Sequence, residues 1–376
     1  YEEAFYWFNQ GAQQGPSDTY YGDNAYSIGY MNFAGMGIAP DYVKAREWYE
    51  RSAEANFHMA MHNLGCLYET GQGTPKDETK AAYWYERAAE LDAPESQFNT
   101  GNMYRQGRGV AKNIATAIKW YEKAALEHSF VPAMHALALM YAHGDGVEKN
   151  LQLFREWFLL AASIKGGPAD MQALFQQILL AEKLGPYAQA RDTESREKEF
   201  EKITSDAEKN QSQAQVKLFY IYFFGIGKPQ DQKGAVAWLS KAIESGNAEA
   251  ESLWGMMLCN EKVCTALAIS QDQPKGLALG TSEAEKGCEE ALLTLAAAYC
   301  TGSPDLNISP NAERALFWAK KAAQSGSVEG KMLLASIYFE GKITAKDEAM
   351  AKKILHQAAA EGSPRARYTI NQWGLH

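Results

Sequence analysis

The sequence predicts an all-α chain, an α/α solenoid of helix-turn-helix repeats. Three columns in fixed register predict it. Trp48, Trp84, Trp120 and Trp157 recur at spacings of 36, 36 and 37 residues, and Trp238 and Trp318 follow. Seven residues before each tryptophan stands Asp41, Asp77, Asn113, Asn150, Asp231 or Asn311, and Asp347 holds the same phase before Ile354. A Gly-x-Gly pair precedes most of these: Gly35/Gly37, Gly71/Gly73, Gly107/Gly109, Gly144/Gly146 and Gly225/Gly227.

Each column has a physical reading. Asp or Asn at this phase is a helix N-cap, whose side chain accepts from the free amides of the first turn. The glycine pair ends the preceding helix, because glycine adopts the left-handed C-cap conformation. Pro40, Pro75 and Pro229 then block any continuation. Each unit is therefore a helix A, a turn of about six residues and a helix B. Helix A carries the pattern Leu64-Gly65-x-x-Tyr68. Helix B carries Ala81-x-x-Trp84-Tyr85-x-x-Ala88-Ala89. Small residues allow close helix approach, and the aromatics fill the space between. The 31 glycines, many for a helical chain, are largely punctuation.

In chain order, residues 1–22 read as an N-terminal partial repeat. Ala4 to Phe8 resembles a helix B without its helix A. Residues 23–163 hold four regular repeats, with A helices beginning near 24, 59, 94 and 131. Residues 164–210 form a degenerate repeat with no glycine turn or tryptophan of its own. In it Met171 to Leu184 is apolar enough for a packed helix, and Arg191 to Lys209 reads as a long, charged, solvated helix. Residues 211–362 hold four more repeats, with A helices near 213, 248, 290 and 328. Two are distorted: one turn is lengthened between Cys259 and Pro274, and the next unit carries the insert Ser303 to Asn307. Residues 363–376 read as a C-terminal capping helix A. The whole of 1–376 is expected to form one solenoid with capped ends.

Composition excludes several functions. The formal net charge is -9 and the pI is about 5.4. Nucleic-acid binding needs a basic face, and anionic membranes attract basic segments. No apolar stretch reaches the roughly 18 residues of a membrane span. The acidity is uneven. Residues 1–163 carry 20 Asp and Glu against 13 Lys and Arg, a balance of -7, so the amino-terminal half attracts a basic partner surface.

No catalytic signature stands out. The glycine pairs are not phosphate loops, since no Gly-Lys-Ser/Thr follows and they recur once per repeat. His58 and His62 have a helical metal spacing but lack the intervening Glu of the zinc-protease motif. No nucleophile motif is present. Catalytic residues, metals and cofactors are therefore not expected. Of the five cysteines, Cys288 and Cys300 lie about 18 Å apart along one helix and cannot bridge. Cys259 and Cys264 flank a short segment and can close a loop. Cys259 and Cys300 fall at equivalent ends of adjacent A helices and are the rival pair. Cys66 reads as a small buried or groove residue.

The repeat pattern resembles the Sel-one-like repeat (SLR) family, a relative of the tetratricopeptide repeats. Leu64, Gly65, Tyr68, Gly71, Gly73, Asp77, Lys80, Ala81, Trp84, Tyr85, Ala88 and Ala89 carry the resemblance. Gly29 to Ala53 and Gly101 to Ala125 match nearly as well. The resemblance implies a right-handed superhelix of helix pairs that binds proteins or peptides. It implies a non-enzymatic bacterial scaffold, with two alternatives. One is an immunity or inhibitor protein wrapping a secreted toxin, as some exported members do. The other is a β-lactam or small-molecule binding or hydrolysing enzyme, as cysteine-rich relatives suggest. The clustered cysteines, and a start at Tyr1 rather than Met, favour a processed chain in the periplasm or another export compartment. The alternative is the cytoplasm.

In such a solenoid the A helices line the concave surface. With the Leu-Gly pair as phase, the inward positions are two before Leu, one after Gly and four after Gly. They are Tyr26, Tyr30 and Phe33; His62, Cys66 and Glu69; Phe98, Asn102 and Arg105; His135, Leu139 and Ala142; and Val216, Tyr220 and Phe223. Aromatics with scattered polar groups suit protein recognition.

Overall fold

A computed structural model describes residues 1–15, 20–164, 178, 180–181, 183–190, 192–260, 263–264, 269–304 and 306–375. They form helices in repeating pairs, and no strand is present among them. The chain divides into two compact units, Tyr1–Pro168 and Ala169–His376. The division falls in the degenerate repeat.

The first unit opens with α1 (Glu2–Ala12), which buries none of its residues. Four helix pairs follow: α2 (Tyr21–Ala34) with α3 (Tyr42–Glu54), α4 (His58–Thr70) with α5 (Glu78–Glu90), α6 (Pro94–Gln106) with α7 (Ile114–His128), and α8 (Val131–His143) with α9 (Leu151–Ser163). The second unit begins with α10 (Pro186–Gln189) and α11 (Thr193–Glu208). Its pairs are α12 (Ser212–Phe224) with α13 (Gln232–Glu244), α14 (Ala248–Cys259) with α15 (Gln273–Glu285), α16 (Glu289–Thr301) with α17 (Ala312–Gln324), and α18 (Val328–Glu340) with α19 (Glu348–Ala360). The single helix α20 (Pro364–Trp373) closes it, and Trp373 stacks on Phe339 with ring centroids 4.0 Å apart.

The capping column works as the spacing predicts. Asp77 accepts from the Lys80 amide at 3.0 Å, Asn113 from Thr116 at 3.1 Å and Asp347 from Met350 at 2.8 Å. Asp41, Asn150, Asp231 and Asn311 do the same. The same residues close the hairpin through their backbone. The Asp77 amide donates to the Tyr68 carbonyl at 2.8 Å, and Asn113 donates to Tyr104 at 2.9 Å. One residue thus satisfies orphan groups at the end of helix A and the start of helix B. Asp77→Ala is expected to cost about 1 kcal/mol in urea unfolding, because the side-chain bond goes while the backbone bond to Tyr68 remains. An unchanged unfolding midpoint would sink that reading of the column.

The core is made by the helix B pattern. Ala81, Tyr85 and Ala88 are wholly buried, as are Ala45 with Tyr49 and Ala117 with Tyr121. The tryptophans one residue earlier sit at the edge, where Trp48, Trp84, Trp120 and Trp238 are half-buried. A cation three residues on covers several of their faces: Arg51 on Trp48 at 4.5 Å, Lys241 on Trp238 at 4.3 Å.

Three expectations change. The helix read as solvated across Arg191 to Lys209 spans Thr193–Glu208 and buries Ile203 and Ala207, with Phe200 partly buried against the core. Its charges mask an apolar stripe at helical spacing. In the lengthened turn, Asp272 restores the capping column by accepting from Lys275 at 3.0 Å, so Pro274 lies in the first turn of helix B. Both proposed bridges also fail to form. Cys264 and Cys300 are free thiols, which removes Cys259–Cys264 and Cys259–Cys300 alike. The Cys264 thiol instead donates to the Met257 carbonyl at 3.0 Å. Most of Met171 to Leu184 lies outside the described residues.

Candidate partner-binding face of the A helices

The sequence-predicted groove residues of the first unit lie together on its A helices, and most are half-buried. On α4, His62, Cys66 and Glu69 share one face by their spacing of four and three. His62 Nδ1 lies 2.8 Å from Ser96 Oγ on α6, and Nε2 lies 3.6 Å from Cys66 Sγ. The Tyr85 hydroxyl of α5 donates to Glu69 Oε2 at 2.7 Å, with Cys66 Sγ 3.3 Å away. Arg108 donates to the other Glu69 oxygen and to Glu78. Glu69, Tyr85, Asn99, Asn102, Gln106 and Arg108 line a small polar cavity of about 120 Å³.

The glycine of the Leu-Gly pair explains how Tyr85 gets there. A Cβ on Gly65 would stand 2.6 Å from the Tyr85 ring, and one on Gly101 would stand 2.5 Å from Tyr121. The missing side chain lets the tyrosine of helix B pass under helix A, so its hydroxyl emerges on the groove side. The Tyr121 hydroxyl donates to Asn102 Oδ1 at 2.7 Å. Phe98 packs between Tyr121 and Phe130, and Arg105 pairs with Asp145 at 3.3 Å. His135 Nε2 is buried without a hydrogen bond among the described residues, and Leu139 is exposed. Ala142 is buried.

These contacts set the electrostatics. Burial, with Cys66 and Glu69 beside it, drives the Tyr85 hydroxyl far above its ordinary value, and burial pushes Tyr121 to about 12. Burial raises the Cys66 thiol and lowers His62. Both shifts favour the neutral thiol and the neutral imidazole. His62 gives a signed pH prediction. Its folded pKa lies below the ordinary 6.5, so the unfolded chain binds the proton more readily. Stability should fall as pH drops through about 6.5, and His62→Gln should flatten that limb. Parallel stability–pH curves for the two proteins would contradict it.

His58 does not join His62 around a metal: its ring packs on Phe57, while both His62 nitrogens are engaged within the groove. Elsewhere Asp92, Glu127 and His128 bring ligand atoms within 4.8 Å of one another, a trio the sequence reading did not find. Lys123 already neutralises Asp92 at 2.6 Å, and the cluster is an ion pair at the surface.

In the second unit the expected groove residues fare differently. Tyr220 and Val216 are buried, so neither offers a surface. Lys183, from the stretch before Gly185, covers Tyr220: its ammonium donates to the hydroxyl at 2.9 Å and pairs with Glu249. Phe223 stacks on Phe219 at 5.2 Å, and the next residue, Phe224, is the exposed aromatic. Sequence reasoning missed Lys183 because it comes from the degenerate repeat, whose phase was lost. Two clefts also went unforeseen. One of about 640 Å³ is bordered by Lys320, Lys331, Lys353 and Glu361. Another of about 530 Å³ is bordered by Tyr299, Cys300, Leu333 and Glu340.

A profile of the Sel1 repeat matches residues 1–16, 25–57, 58–92, 94–129, 131–164, 212–247, 290–327 and 328–363. The chain belongs to the Sel1 repeat family. The matched segments omit the degenerate stretch and the repeat of α14 and α15, while the unit with the insert Ser303 to Asn307 is matched. Sel1 repeats typically mediate protein–protein interaction on a non-catalytic helical scaffold. A curated relative, chitin synthase regulatory factor 3 of Schizosaccharomyces pombe, is 26% identical over 252 residues. That is 67% of this chain and 22% of the relative, so the chain spans about a fifth of it. A protective antigen of uropathogenic Escherichia coli with an SLR fold is 28% identical, covers 96% of this chain and 73% of that chain, and has a TM-score of 0.44. An immunity protein from Pseudomonas aeruginosa is 16% identical, covers 84% and 85%, and has a TM-score of 0.27. Among the described residues, no helix of this Sel1 chain is long and apolar enough to cross a membrane.

Proposed function

We propose that the chain is a binding scaffold that holds a protein or peptide partner along the A-helix face of its first unit. One observation carries this reading. The regular repeats present aromatic and polar side chains in alternation on that face: Tyr26 and Tyr30, then His62 and Glu69, then Phe98 and Asn102, all with solvent access. Apolar rings beside oriented hydrogen-bonding groups match the chemistry of protein interfaces. His62 and Cys66, held by Ser96 and Tyr85, present fixed hydrogen-bonding groups on the same face.

A photo-crosslinking residue placed in turn at positions 30 and 102 tests it, with exposed Lys119 on α7 as the control. Lysate of the native host should give the same protein adduct from both groove positions and none from the control. Adducts of equal yield from all three positions would refute the reading. A single stoichiometric toxin at the groove positions would narrow it to an immunity protein.

A further inference from the structure

The three regular repeats from α2 to α7 place a tyrosine hydroxyl at one equivalent point. In the second repeat the Tyr85 hydroxyl is met by Glu69, and in the third the Tyr121 hydroxyl is met by Asn102. Both acceptors come from groove positions of the repeat's own helix A. In the first repeat those positions are Tyr30 and Phe33, which supply no acceptor. Tyr49 is wholly buried there, and its hydroxyl has no hydrogen-bond partner among the described residues. Asn63 acts on it as a weak side-chain partner that opposes the effect of burial, although the pair falls outside hydrogen-bonding distance and angle. A buried donor left unmade is costly, and native structures rarely retain one without use.

The surroundings describe what would satisfy it. Tyr26 packs on Tyr49 at 5.8 Å, on Phe57 at 5.2 Å and on Tyr30 at 6.2 Å, making an aromatic bed. Tyr30 is 41% exposed, and an exposed ring changes rotamer quickly enough to swing aside. The unit around the bed is acidic, with its balance of -7 over residues 1–163. That field disfavours a carboxylate as the missing acceptor and favours a neutral carbonyl on a cationic segment.

We propose that the first repeat is a peptide subsite: a basic segment of the partner lays an apolar side chain on Tyr26 and Tyr30, and its backbone carbonyl accepts from Tyr49. The ligand then completes the bond that Glu69 and Asn102 complete internally in the next two repeats. The proposal rests on the scaffold reading above and names the chemistry its partner must present.

A random twelve-residue peptide library displayed on phage, selected against the full chain, supplies the probe. Selected sequences should pair Lys or Arg with an apolar residue. Tyr49→Phe should weaken the synthesised peptide about five-fold, the worth of one net hydrogen bond. Its melting temperature should be unchanged or higher, since it removes a hydroxyl with no partner. Tyr121→Phe, the matched variant, should do the reverse: a lower melting temperature and unchanged peptide affinity. Peptides that bind wild type and Tyr49→Phe equally, or that are acidic, overturn the subsite and leave the scaffold intact. Selection of no peptide at all likewise overturns the subsite, and the crosslinking at positions 30 and 102 then decides the scaffold.

Discussion

Gly109→Ala should destabilise the chain by about 3 kcal/mol, more than any surface change in the same turn. Two costs combine. Gly109 has φ +68°, a left-handed conformation that costs an L-residue about 1–2 kcal/mol. Its Cβ would also fall 1.9 Å from the Glu78 carbonyl oxygen, a backbone atom at the start of α5 that cannot rotate away. Overpacking of this kind costs about 1–3 kcal/mol. Gly107 makes the contrast. It has φ +72°, but its Cβ would stand 3.2 Å from the Lys112 Cβ, a tight contact rather than an overlap with a backbone carbonyl. Gly107→Asn should lose much less, because Asn tolerates the left-handed C-cap. Urea unfolding of the two variants decides it. Equal losses would mean that the contact with Glu78 contributes nothing.

Tyr121→Ala should cost about 3–5 kcal/mol, as expected for emptying a fully buried aromatic site. Tyr121 has no exposed surface, and its ring occupies the slot left by Gly101. The backbone there is fixed by the α6–α7 hairpin bond from Asn113 to Tyr104, so the cavity has little freedom to collapse. Tyr121→Phe should cost about 1 kcal/mol, the bond to Asn102 alone. Because repeats couple only to neighbours, amide exchange should speed first in α6 and α7 and least in α19. A Tyr121→Ala loss no larger than that of Tyr121→Phe would show that the ring is not a structural post.

The fold was legible because its signals are local and repeated. The spacing of Asp41, Asp77 and Asn113 against the tryptophans states where helix B begins, and each structural cap agrees. Helix starts near 59, 94 and 131 fall within a residue of His58, Pro94 and Val131. Legibility failed where the period failed. Charges hid the apolar stripe of α11, and the lost phase of residues 164–210 hid Lys183, which covers Tyr220. The two cysteine pairs follow from a short loop and from equivalent helix ends, yet pairing needs Cβ geometry that sequence spacing does not contain.

The groove was half legible. Listing Tyr26, His62, Glu69, Phe98 and Asn102 required only the helical repeat. Their partners required the third dimension. Tyr85 and Tyr121 looked like gap fillers in helix B. Only the packed structure brings their hydroxyls through to Glu69 and Asn102, and only comparison across repeats shows that Tyr49 has no counterpart.

By itself, the sequence determined the repeat, its caps and its turns, since each depends on backbone chemistry within about ten residues. It also assigned the glycine pairs to helix ends, and that was one of their two roles. The second glycine seats each turn on the start of the previous helix B: Gly73 on Tyr42, Gly109 on Glu78, Gly146 on Ile114. That role was decided by the tertiary structure, because it depends on atoms about thirty residues away that are adjacent only after the repeats stack. The same holds for the buried hydroxyl of Tyr49. An unmet donor is defined by everything around it, and packing alone brings those surroundings together.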